Sequence, residues 1–255
     1  MISLQKSVVN FLVLFLVMVS ASAQVHAQQA VSFTAKDGVR VFGDYYAAAN
    51  KAQPLLLLFH QAGSNRGEYT TIAPRLVKEG YNCLAIDQRS GGSRWGRTNQ
   101  TVQQNGGSSS FLEALKDMQA ALTWAKSNGQ QGPVLLWGSS YSAALVFLLA
   151  AQHPQQVVGV LSFSPGEYLG GADTVRSAAA KVTIPVFVTS AKDTEEITQA
   201  KTILAAVASS QKRQFVPRIN GVHGSSTLRQ DINPKGMAEN WQAVLEFLSA
   251  QKTTG

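Results

Sequence analysis

Residues 133–152 read PVLLWGSSYSAALVFLLAAQ. Five apolar residues, PVLLW (133–137), form a strand-like run. Gly138, Ser139, Ser140, Tyr141 and Ser142 follow, and SAALVFLLAAQ then has the composition of a buried helix. A chain that turns sharply from strand to helix forces the central residue of the turn into strained backbone geometry. The residues two before and two after must be small, or they strike the neighbouring strand and helix. The pattern G-x-S-x-G meets this need and lifts its central hydroxyl to the helix N-terminus. Gly138 and Ser142 are the small positions here, and Ser140 is the candidate nucleophile. Ser139 and Ser142 fit the turn. A helix start with a capping serine would look similar, so the context has to decide.

The flanking sequence supplies that context. VSFTAKDGVRVFGDYYA (31–47) predicts a hairpin turning at Asp37-Gly38. PLLLLFH (54–60), YNCLAID (81–87), VVGVLSF (157–163) and IPVFVTS (184–190) are strand-like, and RQFVPRI (213–219) is the last such run. Runs that are apolar throughout suit central strands of a parallel sheet covered on both faces. Helical patterns alternate with them at 66–80, 111–129, 194–210 and 236–251. The expectation is an α/β fold: one open, mostly parallel sheet with helices on both faces. The longest irregular stretch, 88–110, is rich in Gly, Ser, Asn and Gln. Strand–helix alternation resumes in phase after it, so it reads as a loop inside the domain.

Composition sets the outer bounds. The chain has 255 residues, 45% hydrophobic and 15% charged, enough for one sizeable core. Its first segment has Lys6, an apolar stretch from Val8 to Val19, and then small residues. This reads as a secretory signal peptide over residues 1–27, with cleavage sites after Ala23 or Ala27 and a mature domain over 28–255. The apolar run, about 12 residues, is shorter than the roughly 20 of a spanning helix, so no stable membrane anchor is expected. The expected location is periplasmic or secreted. A single cysteine, Cys83, leaves no intramolecular disulfide, and its place in a strand-like run suits a buried small hydrophobe. The formal charge is +7, but the basic residues are scattered, and nothing here looks like a nucleic-acid reader.

A serine needs a base, and the base needs an orienting acid. There are four histidines. His26 lies in the leader, His153 ends a helical run, and His60 ends a strand ahead of Ser140. His223, in INGVHG after the last strand, is the one that follows Ser140 from a strand end, as the order Ser, acid, His requires. Between them, Asp193 stands three residues beyond the strand 184–190 and is the expected acid, although it could also be a helix N-cap. Glu195 and Glu196 read as first-turn helix acids, and Asp173 has no strand directly before it. Asp87 precedes Ser140 and reads as structural, tying down the 88–110 loop. For the oxyanion hole, one donor is the Tyr141 N–H. The other comes from HQAGSNRG (60–67), from Ala62 or Gln61, with Ala62 favoured.

These residues resemble the α/β-hydrolase superfamily, and specifically its small, lidless, dienelactone-hydrolase-like members. The resemblance runs from about Phe33 to Ala250 and rests on LLLFHQAGSNRGEY, AIDQRSGG, GSSYS, TSAKD and GVHG. It implies a serine hydrolase that cleaves carboxylic esters of small molecules through Ser140, Asp193 and His223. It implies no metal and no organic cofactor. Two departures stand out. Dienelactone hydrolases proper use a cysteine nucleophile, so that substrate is not implied, and Ser142 replaces the usual final glycine. The connection after strand 157–163 is too short for a large lid, which leaves an open pocket bordered by Trp95 and Tyr168. A peptidase, amidase or thioesterase of the same fold is the alternative within the class. A non-catalytic binding protein on a hydrolase fold is the alternative outside it.

Overall fold

The apolar runs pack as central strands because each has a covered face on both sides. In the computed structural model, which describes residues 28–252, the expected leader and its cleavage sites lie outside the described residues. The hairpin forms first in the chain: β1 (Gln28–Thr34) and β2 (Arg40–Tyr46) pair antiparallel. Its turn is closed by the Ala35 N–H donating to Val39 O at 2.8 Å, with Gly38 at φ 88°. That positive φ is why a glycine stands there.

The remaining strands are β3 (Leu55–Phe59), β4 (Asn82–Asp87), β5 (Val134–Ser139), β6 (Gly159–Phe163), β7 (Val186–Thr189) and β8 (Lys212–Phe215). They form one eight-stranded sheet in the order β1-β2-β4-β3-β5-β6-β7-β8. Strand β2 is antiparallel to both of its neighbours, and β3 to β8 are parallel. The helices are α1 (Ala73–Lys78), α2 (Gln100–Gln104), α3 (Leu115–Ser127), α4 (Tyr141–Gln152), α5 (Thr174–Ala179), α6 (Thr194–Ala206) and α7 (Met237–Lys252).

Alternation along β3 divides the core in two. Leu55, Leu57 and Phe59 join Met118, Leu145, Phe147, Val175 and Ile203 on the face covered by α3 to α6. Leu56 and Leu58 join Leu76, Trp137, Phe163, Trp241 and Val244 on the face covered by α1 and α7. All five β3 residues are fully buried, so each leucine cut to alanine should cost about 2–5 kcal/mol.

Three details differ from the sequence reading. The helix expected at 66–80 is split into a 3-10 turn, Arg66–Tyr69, whose first N–H is accepted by Asp87, and α1, which begins at Ala73 with Pro74 in its first turn. The last strand is shorter than 213–219 and stops before Pro217, which has no N–H to give a ladder. The 88–110 stretch contains α2, capped by the Asn99 side chain.

The register sets the site. Phe59 pairs with Ile86 and Gly138, Ser139 with Phe163, and Phe163 with Thr189. The residues at or just past these strand ends therefore emerge along one rim: His60, Asp87, Ser140, Ser164 and Ser190. Strand β3 lies between β4 and β5, where the direction of winding reverses, and ligands gather at that point in such sheets.

Candidate active site

Ser140 sits between β5 and α4 at φ 61°, ψ −122°, a region that costs a non-glycine residue about 1–3 kcal/mol. The fold imposes it. The Ser140 N–H donates to Phe163 O at 2.8 Å, and Ser140 O accepts from the Ala143 N–H at 2.8 Å. A Cβ on Gly138 would lie 2.2 Å from Ser142 O, so no larger residue fits there. The second small position is used differently. Ser142 Oγ donates to His60 O at 2.6 Å and lies 3.1 Å from Gln88 Oε1. Its hydroxyl thus pins the start of α4 to the ends of β3 and β4, a tie that a glycine could not make. Neither Ser139 nor Ser140 caps the helix with its side chain. Ser139 Oγ instead accepts from the Ser225 N–H at 2.8 Å and donates to Glu68 Oε1 at 2.8 Å.

His223 follows β8, and its Nδ1 stands 2.7 Å from Glu196 Oε1. The expected partner, Asp193, is not there. It is the N-cap of α6, accepting from the N–H groups of Glu195 and Glu196 at 3.0 and 3.1 Å. The reason is reach. A short aspartate side chain one residue before a helix folds onto the helix's own free donors. Glu196, one turn further on, has the length to reach back toward the sheet. Its other oxygen accepts the Ala191 N–H at 2.9 Å. Ser164, at φ 59°, accepts the Gly224 N–H at 2.9 Å and also bonds Glu196. Burial alone would raise the Glu196 pKa. The bonds from His223, Ser164 and Ala191 outweigh it and hold the carboxyl below its ordinary value. With Nδ1 held, Nε2 is the His223 nitrogen left for a reacting group. The chain just after His223 touches the elbow: a Cβ on Gly224 would lie 2.4 Å from Ser139 Oγ.

The loop after β3 resolves the two oxyanion candidates. The Gln61 N–H donates to Glu68 Oε2 at 2.9 Å, so it is occupied and leaves the candidate set. Among the described residues, the Ala62 and Tyr141 N–H groups have no protein partner. Tyr141 is held in place by a 4.4 Å ring stack with Phe111 and by Ser90 Oγ, which donates to its hydroxyl at 3.0 Å.

The other candidates have structural jobs. His60 is fully buried. Its Nδ1 lies 2.8 Å from Gln61 O, and its Nε2 accepts the Gln88 N–H at 3.0 Å. Burial lowers its pKa, and these two bonds fix the neutral Nδ1–H tautomer. Asp87 accepts from the Arg66 and Gln100 N–H groups at 2.9 and 2.7 Å, which ties down the loop before α2 as the sequence suggested. Trp95 donates to Ser64 Oγ at 2.8 Å, and the guanidinium groups of Arg94 and Arg229 lie over its ring. Tyr168 donates to Ser164 O at 3.3 Å, close to the acid. Sequence reasoning missed Glu196, Glu68 and Ser164. For Glu196 a signal exists: Glu196, Ala200 and Ile203 share one helical face, and the latter two are buried.

A strained serine at the rim of this sheet, with the loop of a carboxylate-held histidine bonded to the residue before it, marks a serine hydrolase of the α/β-hydrolase fold. Comparison with known proteins agrees. The sequence profile of the family described as serine aminopeptidase, S33, matches residues 50–219, and the chain belongs to that family. It is 30% identical over 124 residues to the quorum-quenching protein AidA of Acinetobacter baumannii, an alignment spanning 48% of this chain but only 38% of that protein. Among solved structures it is similar to a dienelactone hydrolase from Anabaena variabilis, with TM-score 0.65, 19% identity, and 89% of this chain and 95% of that one covered. An esterase from Pyrococcus furiosus gives TM-score 0.64 at 17% identity, covering 89% and 92%. A cold-adapted esterase from an Arctic intertidal metagenomic library gives 0.60 at 24%, covering 74% and 83%.

Proposed function

We propose that this protein is an exported hydrolase of small carboxylic esters. Ser140 attacks the acyl carbon as His223 Nε2 takes its proton. Glu196 holds the His223 tautomer and steadies the imidazolium. The Ala62 and Tyr141 N–H groups receive the oxyanion, each worth about 3 kcal/mol in the transition state. His223 then protonates the leaving alcohol, and water, activated by the same nitrogen, releases the acid. The observation that carries this reading is the strained φ of Ser140, next to a Ser139 that bonds the loop after His223, whose Nδ1 lies 2.7 Å from Glu196 Oε1. The ester class is favoured by the esterases and the dienelactone hydrolase that share the fold. The connection from Phe163 to α5 carries no inserted helix or strand, which suits an open pocket and compact substrates. Export follows from the leader-like first 27 residues.

The test is hydrolysis of p-nitrophenyl esters from acetate to long acyl chains, beside aminoacyl p-nitroanilides, by the mature protein and by Ser140→Ala. Ester turnover that falls by several orders of magnitude in the variant is the expected result. Anilide turnover with esters left intact would move the assignment to peptides. Ester turnover unchanged in Ser140→Ala would refute the nucleophile.

A further inference from the structure

Glu68 lies in the 3-10 turn Arg66–Tyr69 and is fully buried, yet it plays no part in the chemistry above. A buried carboxyl without an ion-pair partner is costly and persists only where its acceptor sites are used. Three donors use them here: the Gln61 N–H at 2.9 Å, Gln61 Nε2 at 3.2 Å, and Ser139 Oγ at 2.8 Å. All are donors, which suits the ionised form, an acceptor only. Burial pushes the Glu68 pKa up, against the pull of these same bonds.

The three bonds join three loops. Gln61 immediately precedes Ala62. Ser139 immediately precedes Ser140 and accepts the Ser225 N–H, two residues past His223. Gln61 Nε2 also reaches Ser226 Oγ at 3.0 Å. One carboxylate therefore fixes the spacing between oxyanion loop, nucleophile and base loop. It also takes up the Gln61 N–H, while the next N–H, that of Ala62, has no protein partner among the described residues.

We propose that Glu68 is a positioning residue for acyl transfer, holding the Ala62 N–H against Ser140 through its bonds to Gln61 and Ser139. This rests on the ester-hydrolase reading. An oxyanion donor acts on the transition state and hardly on the bound ester. Loosening it should lower kcat and leave KM nearly alone.

The experiment begins with a fluorophosphonate probe on the wild-type protein, with mass analysis of the adduct. Labelling at Ser140 establishes the nucleophile independently of Glu68, whereas no labelling there would bring down the ester-hydrolase reading and this inference with it. Glu68→Gln then keeps the volume but turns an NH2 group toward a donor. It should still label to one probe per chain, only more slowly, and kcat per labelled site should fall by about 100-fold with KM within about threefold. A purely structural role would lower the fraction labelled and leave kcat per labelled site within about threefold of wild type, which would overturn the proposal. If Glu68→Gln does not fold, Ser139→Ala decides. It removes one of the three donors, and an expected loss of about tenfold in kcat supports the proposal, whereas unchanged kcat refutes it.

Discussion

Exchanging the acids at positions 193 and 196 separates catalysis from helix capping. Glu196 has two oxygens and three donors to satisfy: His223 Nδ1, the Ala191 N–H and the Ser164 side chain. Glu196→Gln keeps one oxygen. If that oxygen stays on the Ala191 N–H, the amide NH2 meets His223 Nδ1 and selects the wrong tautomer. If the amide flips, two donors face each other at Ala191. The charge is lost either way. At a separation of about 4 Å and an effective dielectric of about 20, carboxylate and imidazolium attract by about 4 kcal/mol. At about 1.36 kcal/mol per tenfold, that predicts a loss of about a thousandfold in kcat. Asp193→Asn keeps a good cap and should leave kcat within about twofold. Asp193→Ala should keep kcat too, but cost about 1 kcal/mol of stability. The assay is p-nitrophenyl ester turnover per fluorophosphonate-titrated site, beside urea unfolding. A thousandfold loss in Asp193→Asn with Glu196→Gln active would refute the reasoning.

Further outcomes follow from other parts of the fold. Gly138→Ala should push the elbow open, because its Cβ would meet the Ser142 carbonyl; turnover should drop by more than about a hundredfold and stability by about 2 kcal/mol, read by ester assay and thermal melting. Asp117 is fully buried and accepts from the Arg89 N–H and guanidinium at 2.7 and 3.0 Å, so Asp117→Ala should cost about 3 kcal/mol in urea unfolding, the low end for a broken buried pair because Asp37 still faces Arg89. Arg89 also holds the Asp37 pKa well below the ordinary carboxylate range. A depressed folded pKa contributes stability that is present above the unfolded value and lost as pH falls through the folded one. The advantage of wild type over Asp37→Asn, about 1 kcal/mol for a partly exposed pair, should therefore hold at neutral pH and fade below about pH 4. An advantage that persists in strong acid would contradict the assignment.

The positions of Ser140 and His223 at the rim were legible because strand ends are legible. Apolar runs mark the strands, and the first polar residue after each run falls on the rim. The carboxylate beside His223 was not legible in the same way. The run 184–190 does end where the structure ends it, within a residue, but Asp193 and Glu196 stand on opposite sides of a helix start. Deciding between them takes the direction in which α6 leaves the sheet. The buried face of that helix, Glu196 with Ala200 and Ile203, is readable at helical spacing and outweighs proximity to the strand. Glu68 was hidden for another reason. RGEYTT reads as the polar start of a helix, and its burial rests on partners far along the chain: Asp87 on the Arg66 N–H, Ser139 on the Glu68 carboxylate and Arg229 on the Glu68 carbonyl.

The bonds that close the site span long stretches of chain: 71 residues from Glu68 to Ser139, 86 from Ser139 to Ser225, and 165 from Gln61 to Ser226. Each requires a large loop to close before it gives anything back, and such contacts form late. The elbow itself is local and can form early, but a serine without its histidine loop is inert. During refolding, helical circular dichroism should return before turnover of the proposed ester substrates. Synthesis runs in the same direction: Ser140 emerges well before His223, so on the proposed mechanism turnover waits until nearly the whole sheet has closed.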